Sequence, residues 1–278
     1  MKRLPKVYLP LWATLLLAVL LTGFATLVSL WCQPNALRSV LAVLRAQPTL
    51  ILLNCIPVGL TLLAFTFLRK NVFAGGAWAT IIWGGLSISS RIKMDVRDEP
   101  LFPRDFALLK EAASAMGDYN IDYPGISITV MICSALVLFA IGVFIKCKPF
   151  PIARLRGWLG RLLGIAASVA AFVVLIVTLF ASNTLYDSFK VSNAYYIPSV
   201  FNELGFPYCF CHHFTTYSVD KPAGFSRAEA AAWETGDTSG LGKDVHVIMV
   251  MDEAFSDISD SSVFTYGEED DPLPNLHA

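Results

Sequence analysis

Five uninterrupted apolar runs dominate the pattern along the chain, at residues 9–31, 49–68, 72–90, 126–145 and 159–181. None alternates as a half-buried strand would, and each falls within the roughly 17–25 residues that an α-helix needs to cross a bilayer. The pattern predicts five transmembrane helices. The first run is too long for the apolar part of a leader, and no A-x-A-like cleavage site follows it, so it reads as a span.

The polar stretches between and after the runs predict smaller elements. In "RDEPLFPRDFALLKEAASAMGD", Pro103 fixes a turn and Asp105 can cap a helix. Phe106, Leu109, Ala113 and Met116 then follow on one helical face, so a short helix is expected on the membrane surface or against the bundle. "YYIPSVFNELGFPYCFCHHFTTYS" is aromatic and weakly polar, which suits the headgroup level. Its "CFCHH" (Cys209, Cys211, His212, His213) invites a zinc reading. The two cysteines are spaced too tightly, and no second ligand pair follows, so the segment reads as interfacial. "KPAGFSRAEAAAWE" gives a turn, Ser226 as N-cap with Glu229 closing a capping box, and an Ala-rich helix. A linker, "TGDTSGLGKD", leads into residues 245–251, which are apolar without alternation. That is the signature of a strand buried on both faces, as in the parallel sheet of an α/β domain. His246 within it reads as a packed or edge residue.

Composition agrees with a membrane protein. The 278 residues are 55% hydrophobic and only 15% charged, where soluble domains run near about 25%. A net charge of -1 argues against nucleic acid as a partner. Six scattered cysteines form no disulfide framework and read mostly as small hydrophobes.

Loop charges orient the bundle. Lys2, Arg3 and Lys6 precede the first span, Arg69 and Lys70 follow the second, and Lys146, Lys148, Arg154 and Arg156 separate the fourth from the fifth. The positive-inside rule puts all three groups in the cytoplasm. The loop after the first span carries only Arg38 and Arg45, and acids dilute the basic residues of the longer loop after the third. Five spans then send everything past residue 182 outside. The spans hold no buried charge: residues 51–68 offer only Asn54, Thr61 and Thr66, and residues 165–180 of the fifth span only Ser168 and Thr178. Channels and ion-coupled transporters carry ionisable groups there, so an anchor or lipid-facing scaffold is expected. No inverted repeat is visible either.

The strand ends in Asp252 and Glu253, at the carboxyl end where open α/β sheets gather ligands. A hard divalent cation takes carboxylate oxygens at such a place, although acids after a strand also serve as helix caps and turn residues.

"VIMVMDEAFSDIS" resembles the opening strand of the extracellular domain in the lipoteichoic acid synthase family. These are membrane phosphoglycerol transferases of the alkaline phosphatase/sulfatase superfamily. "EPLFPRDFALLKEA", "GFPYCFCHHF…VDKPAGFS" and "PLPNLHA" resemble the same family in the same order. The resemblance implies an α-helical polytopic membrane protein followed by the start of an extracellular α/β sulfatase-like domain. Residues 1–182 would be the five-span domain, 183–242 interfacial and linker helices, and 243–278 the first strand and the truncated start of the sulfatase-like domain. It implies Glu253 as a metal ligand, with Mn2+ or Mg2+ as the cofactor. Asp252 stands where relatives carry Asn or another polar residue and takes no role. A phosphatidylglycerol-type lipid would be the donor and a glycerophosphate polymer the acceptor, at the cell membrane.

The family's nucleophilic threonine, and the Asp and His that complete its metal site, would lie beyond "PNLHA" and are not in these residues. Ser256, Ser259, Ser261, Ser262 and Thr265 read as turn or cap residues. Roughly 35 residues from Lys243 onward are too few for an independent sheet, so a truncated, catalytically silent chain is expected. The alternative is a non-catalytic five-span scaffold or partner protein.

Overall fold

A computed structural model of the chain describes residues 7–34, 36–45, 48–108, 122–147 and 157–215, with Ser226 and Ala228. The chain divides into two units, Met1–Val219 and Asp220–Ala278. The second lies almost wholly outside the described residues. In order, the first unit runs through strand β1 (Val7–Leu9), helices α1 (Leu11–Trp31), α2 (Ala36–Arg45), α3 (Pro48–Arg69) and α4 (Val72–Arg97), and a 3-10 helix (Pro103–Leu108). It continues through α5 (Gly125–Phe144), strand β2 (Ile145–Cys147) and α6 (Gly157–Leu175), which a π turn over Ile176–Phe180 prolongs. Three short helices close it: α7 (Asn183–Asp187), α8 (Ile197–Leu204) and α9 (Phe206–His212).

Helices α1, α3, α4, α5 and α6 are long and apolar enough to cross a membrane. They are the five spans expected, and the chain is a multi-pass membrane protein on that evidence. Several of their hydroxyls donate inside their own helices, as an anhydrous surrounding favours. Thr22 Oγ1 donates to Ala18 O (2.8 Å), Thr66 to Leu62 O (2.8 Å), Thr80 to Gly76 O (2.9 Å) and Thr178 to Val174 O (2.7 Å). Large side chains such as Val19, Ile126 and Trp158 stand 70–76% exposed on the outer faces, where lipid covers them. Helix α4 exceeds its apolar run by seven residues, ending at Arg97 where the run ends at Ser90. Arg91, Lys93 and Asp95 are thus helical, and the loop that follows is shorter than the charge pattern suggested.

Helix α4 is the centre of the bundle, packing against α1, α3 and α5, while α6 packs on the far side of α3. Ser29 and Ser87 join α1 to α4 through a 2.7 Å hydroxyl pair, and Trp83 Nε1 donates to Thr61 Oγ1 of α3 (3.1 Å). Near the start of α4, Asn71 caps the helix by accepting from Phe73 N (2.9 Å), and its Nδ2 donates to Gly142 O of α5 (2.7 Å). Strands β1 and β2 pair in parallel, Val7 opposite Ile145 and Leu9 opposite Cys147. These contacts gather the start of α1, the α3–α4 turn and the end of α5 at one end of the bundle. The start of α3 and the end of α6 meet the short helices at the other, called the cap end below.

The α3–α4 crossing depends on a missing side chain. A Cβ at Gly75 would sit 2.5 Å from the Leu62 carbonyl oxygen and against Thr66 Oγ1, and neither can move away. At Gly85, by contrast, nothing lies within 4 Å. Gly75→Ala is therefore expected to destabilise the protein in detergent by about 1–3 kcal/mol, as overpacking does, and Gly85→Ala to leave the thermal midpoint at or above wild type. Equal midpoints for the two variants would contradict this packing.

Candidate functional site

At the cap end α7, α8, α9 and the 3-10 helix fold back onto the bundle. Local sequence explains the path. Ser182 caps α7 by accepting from Leu185 N (3.2 Å), and Asn193 Oδ1 accepts from Tyr195 N (3.0 Å) and Tyr196 N (3.3 Å), turning the chain into α8. Pro198 and Pro207 stand in the first turns of α8 and α9, where a missing N–H costs nothing. Between those helices Gly205 has φ +91°, a conformation costly to any residue with a Cβ.

The turn at Gly205 is buried, so the end of α8 and the start of α9 both leave backbone groups that water cannot reach. Two side-chain amides take over. Asn54 of α3, fully buried, donates from Nδ2 to Leu204 O (2.8 Å) and accepts at Oδ1 from Tyr208 N (3.2 Å). Gln33, buried just past α1, donates from Nε2 to Phe201 O (3.1 Å) and accepts at Oε1 from Phe206 N (2.5 Å) in the amide orientation that satisfies both groups. A Cβ at Gly205 would run into the Asn54 amide, so the glycine also makes room for it. Asn54 lies six residues into α3, roughly 9 Å along the helix at 1.5 Å per residue. The turn is therefore seated inside the bundle.

Around this turn sits an aromatic core. Phe201, Phe206, Tyr208 and Phe210 are all buried, and Phe210 reaches edge-on to Trp83 of α4 (6.2 Å). His212 stacks on Tyr186 (3.9 Å between centroids), and its Nδ1 donates to Phe180 O at the end of α6 (2.7 Å). His213 stacks on Phe201 (5.5 Å) and meets the edge of Phe102 (5.1 Å). Part of the segment expected at the headgroup level thus lines the cap, while its Tyr195, Tyr196 and Phe214 stand exposed. Burial depresses the pKa of both histidines. For His213, burial, His212 and Arg104 together push it down to about 3. Burial likewise keeps the Cys209 and Cys211 thiols and the Tyr208 phenol protonated.

Charged groups brace the rim. Lys93 Nζ lies 2.9 Å from Asp105 Oδ2 and 3.3 Å from Glu99 Oε2, donates to Pro100 O (3.1 Å) and stands over the Phe102 ring. Asp105 Oδ2 accepts from Phe102 N, three residues back (2.7 Å), and the helix expected through Leu109, Ala113 and Met116 lies outside the described residues. Tyr196 Oη donates to Asp98 Oδ1 (3.0 Å). Glu203 collects donors from Ser192 N (2.9 Å), Ser192 Oγ and Ser199 Oγ (3.1 Å). Burial raises its pKa, but these hydrogen bonds and the Arg38 charge outweigh that and hold it below the usual value. So stabilised a carboxylate is a poor general base, and the cluster acts as a clasp.

Cys209, Cys211, His212 and His213 are brought together by α9, but each is turned into the aromatic core, Cys209 Sγ facing Val200 O (3.9 Å). Metal ligation requires thiolate, which this burial opposes. Among the described residues no group of three or more His, Cys, Asp and Glu side chains converges on a common point. Glu253, Asp252, the strand at 245–251 and the serines and threonine after it lie outside the described residues, as does the Glu229 capping box. Helix α2 and the amides of Gln33 and Asn54 escaped the sequence reading. The signal for α2 was Leu37, Leu41 and Leu44 at helical spacing, and for Asn54 a lone amide in an apolar run. No family model, curated protein or solved structure matches the chain.

Two outcomes follow from this geometry. Asn54→Leu keeps the bulk but strands Leu204 O and Tyr208 N, at about 1–3 kcal/mol for each buried group left unpaired. The thermal midpoint should drop, and protease should cut within residues 192–215 while the spans stay intact; a wild-type digestion pattern would refute the seating of the turn. For His213, the folded pKa of about 3 lies below the unfolded value of about 6.5. Between these values the unfolded chain holds more protons, so stability is full above about pH 6.5 and falls as the pH drops, on the order of 1 kcal/mol per unit. Unfolding followed from neutral to acid pH should show this slope, shallower in His213→Phe; an unchanged slope in that variant would remove His213 as its source.

Proposed function

We propose that this chain is the membrane-anchor portion of a metal-dependent phosphoglycerol transferase of the lipoteichoic acid synthase type. It works at the cell envelope, with the N-terminus and the loop at residues 146–158 in the cytoplasm and the cap end outside. The observation that carries the reading is an interlock. Two of the stretches that resemble this family, "EPLFPRDF" and "GFPYCFCHHF", lie about a hundred residues apart and pack on each other. Phe102 meets His213 (5.1 Å), and Phe106 meets Phe210 (6.3 Å). Their likeness to one family has a shared physical basis if both serve to build one cap.

In this reading the described residues do no chemistry. The spans hold the protein in the leaflet that supplies a phosphatidylglycerol-type donor, and the cap carries the chain outward from a fixed seat. Glu253 contributes its carboxylate to a divalent cation, Mn2+ or Mg2+, whose role when bound is to stabilise charge on the transferring phosphoryl group. A glycerophosphate polymer is the acceptor.

The test uses the gene product as the cell makes it, in membranes supplied with fluorescent phosphatidylglycerol and manganese. Glu253→Gln keeps the shape and removes the charge. It should abolish most diacylglycerol release while insertion and thermal stability stay unchanged. Near-normal release from this variant would remove Glu253 from the site, and no release from either protein would favour a non-catalytic five-span scaffold.

A further inference from the structure

Helix α2 joins two spans, yet it crosses nothing. Its ten residues fall into three sectors at 100° per residue. Ser39 and Val43 are buried against α8, with Ser39 Oγ 3.3 Å from Asn202 Oδ1. On one side of that contact Leu37 and Leu44 stand 62% and 48% exposed, with Leu41 half-buried between them. On the other side Arg38 and Arg45 are exposed. The helix carries no acid. Arg38 faces Glu203 of α8 as a nearby cation, and among the described residues Arg45 has no carboxylate within ion-pair distance.

We propose that α2 is an interfacial anchor. Leu37, Leu41 and Leu44 enter the acyl region of the cap-end leaflet, and Arg38 and Arg45 hold the phosphates of anionic lipid headgroups. Connectivity is the first argument. The helix before it ends at Trp31 and the one after it begins at Pro48, both spans, so α2 is tethered at the level where a bilayer has its headgroups. Continuity is the second. The flanking spans present exposed Leu27 and Trp31 before α2 and Leu52 after it, so both spans that α2 joins carry exposed apolar side chains in the turns nearest to it. Charge is the third. Two arginines flank the stripe about 90° round the helix, where guanidinium groups on long stems reach phosphate while their stems stay in the apolar layer. A water-facing helix would have no use for three leucines in one row, and a protein-facing one would bury them. Glu203 moderates Arg38, which leaves Arg45 as the stronger phosphate ligand.

The inference rests on the membrane-spanning reading and is independent of the transferase one, so Glu253→Gln leaves it untouched. It is tested on the full chain in phosphatidylcholine nanodiscs with and without phosphatidylserine, an anionic lipid that is not the proposed donor. Benzoylphenylalanine introduced at Leu44 should crosslink under ultraviolet light to lipid acyl chains, and at Val43 to α8. Phosphatidylserine should raise the thermal midpoint of the wild type, and the rise should be lost in the double variant Arg38→Gln/Arg45→Gln. Absence of lipid adducts at Leu44, with Val43 still crosslinking to α8, would overturn the anchor. A phosphatidylserine effect of full size in the double variant would overturn the role of the arginines.

Discussion

A helical turn inside an apolar bundle must find partners for its backbone without water, and here two side-chain amides supply them. Helix α8 ends and α9 begins at a buried glycine, which leaves the Leu204 carbonyl and the N–H groups of Phe206 and Tyr208, while Phe201 O, already accepting from Gly205 N, has room for a second donor. Asn54 reaches them from α3 and Gln33 from the end of α1. Each amide offers one donor and one acceptor face, and each is used on both. Irregular backbone at membrane depth is tolerated only where protein covers it and satisfies it. Without these two residues the turn would be driven out to the aqueous interface, and the aromatic core would lose its floor.

The rest of the cap is arranged around that seat. Phe210 can lie against Trp83 only if α9 enters the bundle, and the two histidines can be stacked and neutral only under the same cover. The 3-10 helix joins through Phe102 and Phe106, and Lys93 ties it to α4 with hydrogen bonds that a half-buried ammonium needs. Helix α2 closes the side through Ser39 and Val43. Energetically the cap is therefore part of the membrane unit and no loose tether.

The five spans were legible because a long apolar run in a helix has few alternatives, and they matched within two residues at most ends. The exception, the far end of α4, failed for a plain reason: hydropathy stops at the first charge, while a helix continues as long as its charged turns are solvated or paired, as Lys93 is. Helix α2 is hard to see in the sequence because Arg38 and Arg45 mark the segment as a polar connection, although Leu37, Leu41 and Leu44 repeat at helical spacing. Which rings of the aromatic segment face protein is not legible in the sequence, because Tyr and Phe suit lipid interface and protein interior alike, and composition cannot separate the two. What separates them is Asn54, whose partner carbonyl lies 150 residues away, a distance over which no local pattern carries information. The same holds for the rings of Phe102 and Phe201. The acids at the end of the strand were read from resemblance and position alone, and Glu253 lies outside the described residues.

The central claim is that the α8–α9 turn is seated in the bundle by the two amides, and hydrogen exchange reads it directly. In nanodiscs at neutral pH, the amides of Phe206 and Tyr208 should exchange as slowly as those in the middle of α4. Both should speed up together when Asn54 and Gln33 are replaced by leucine. Rapid exchange at Phe206 and Tyr208 in the unaltered protein, at the rate of an interfacial turn, would contradict the account.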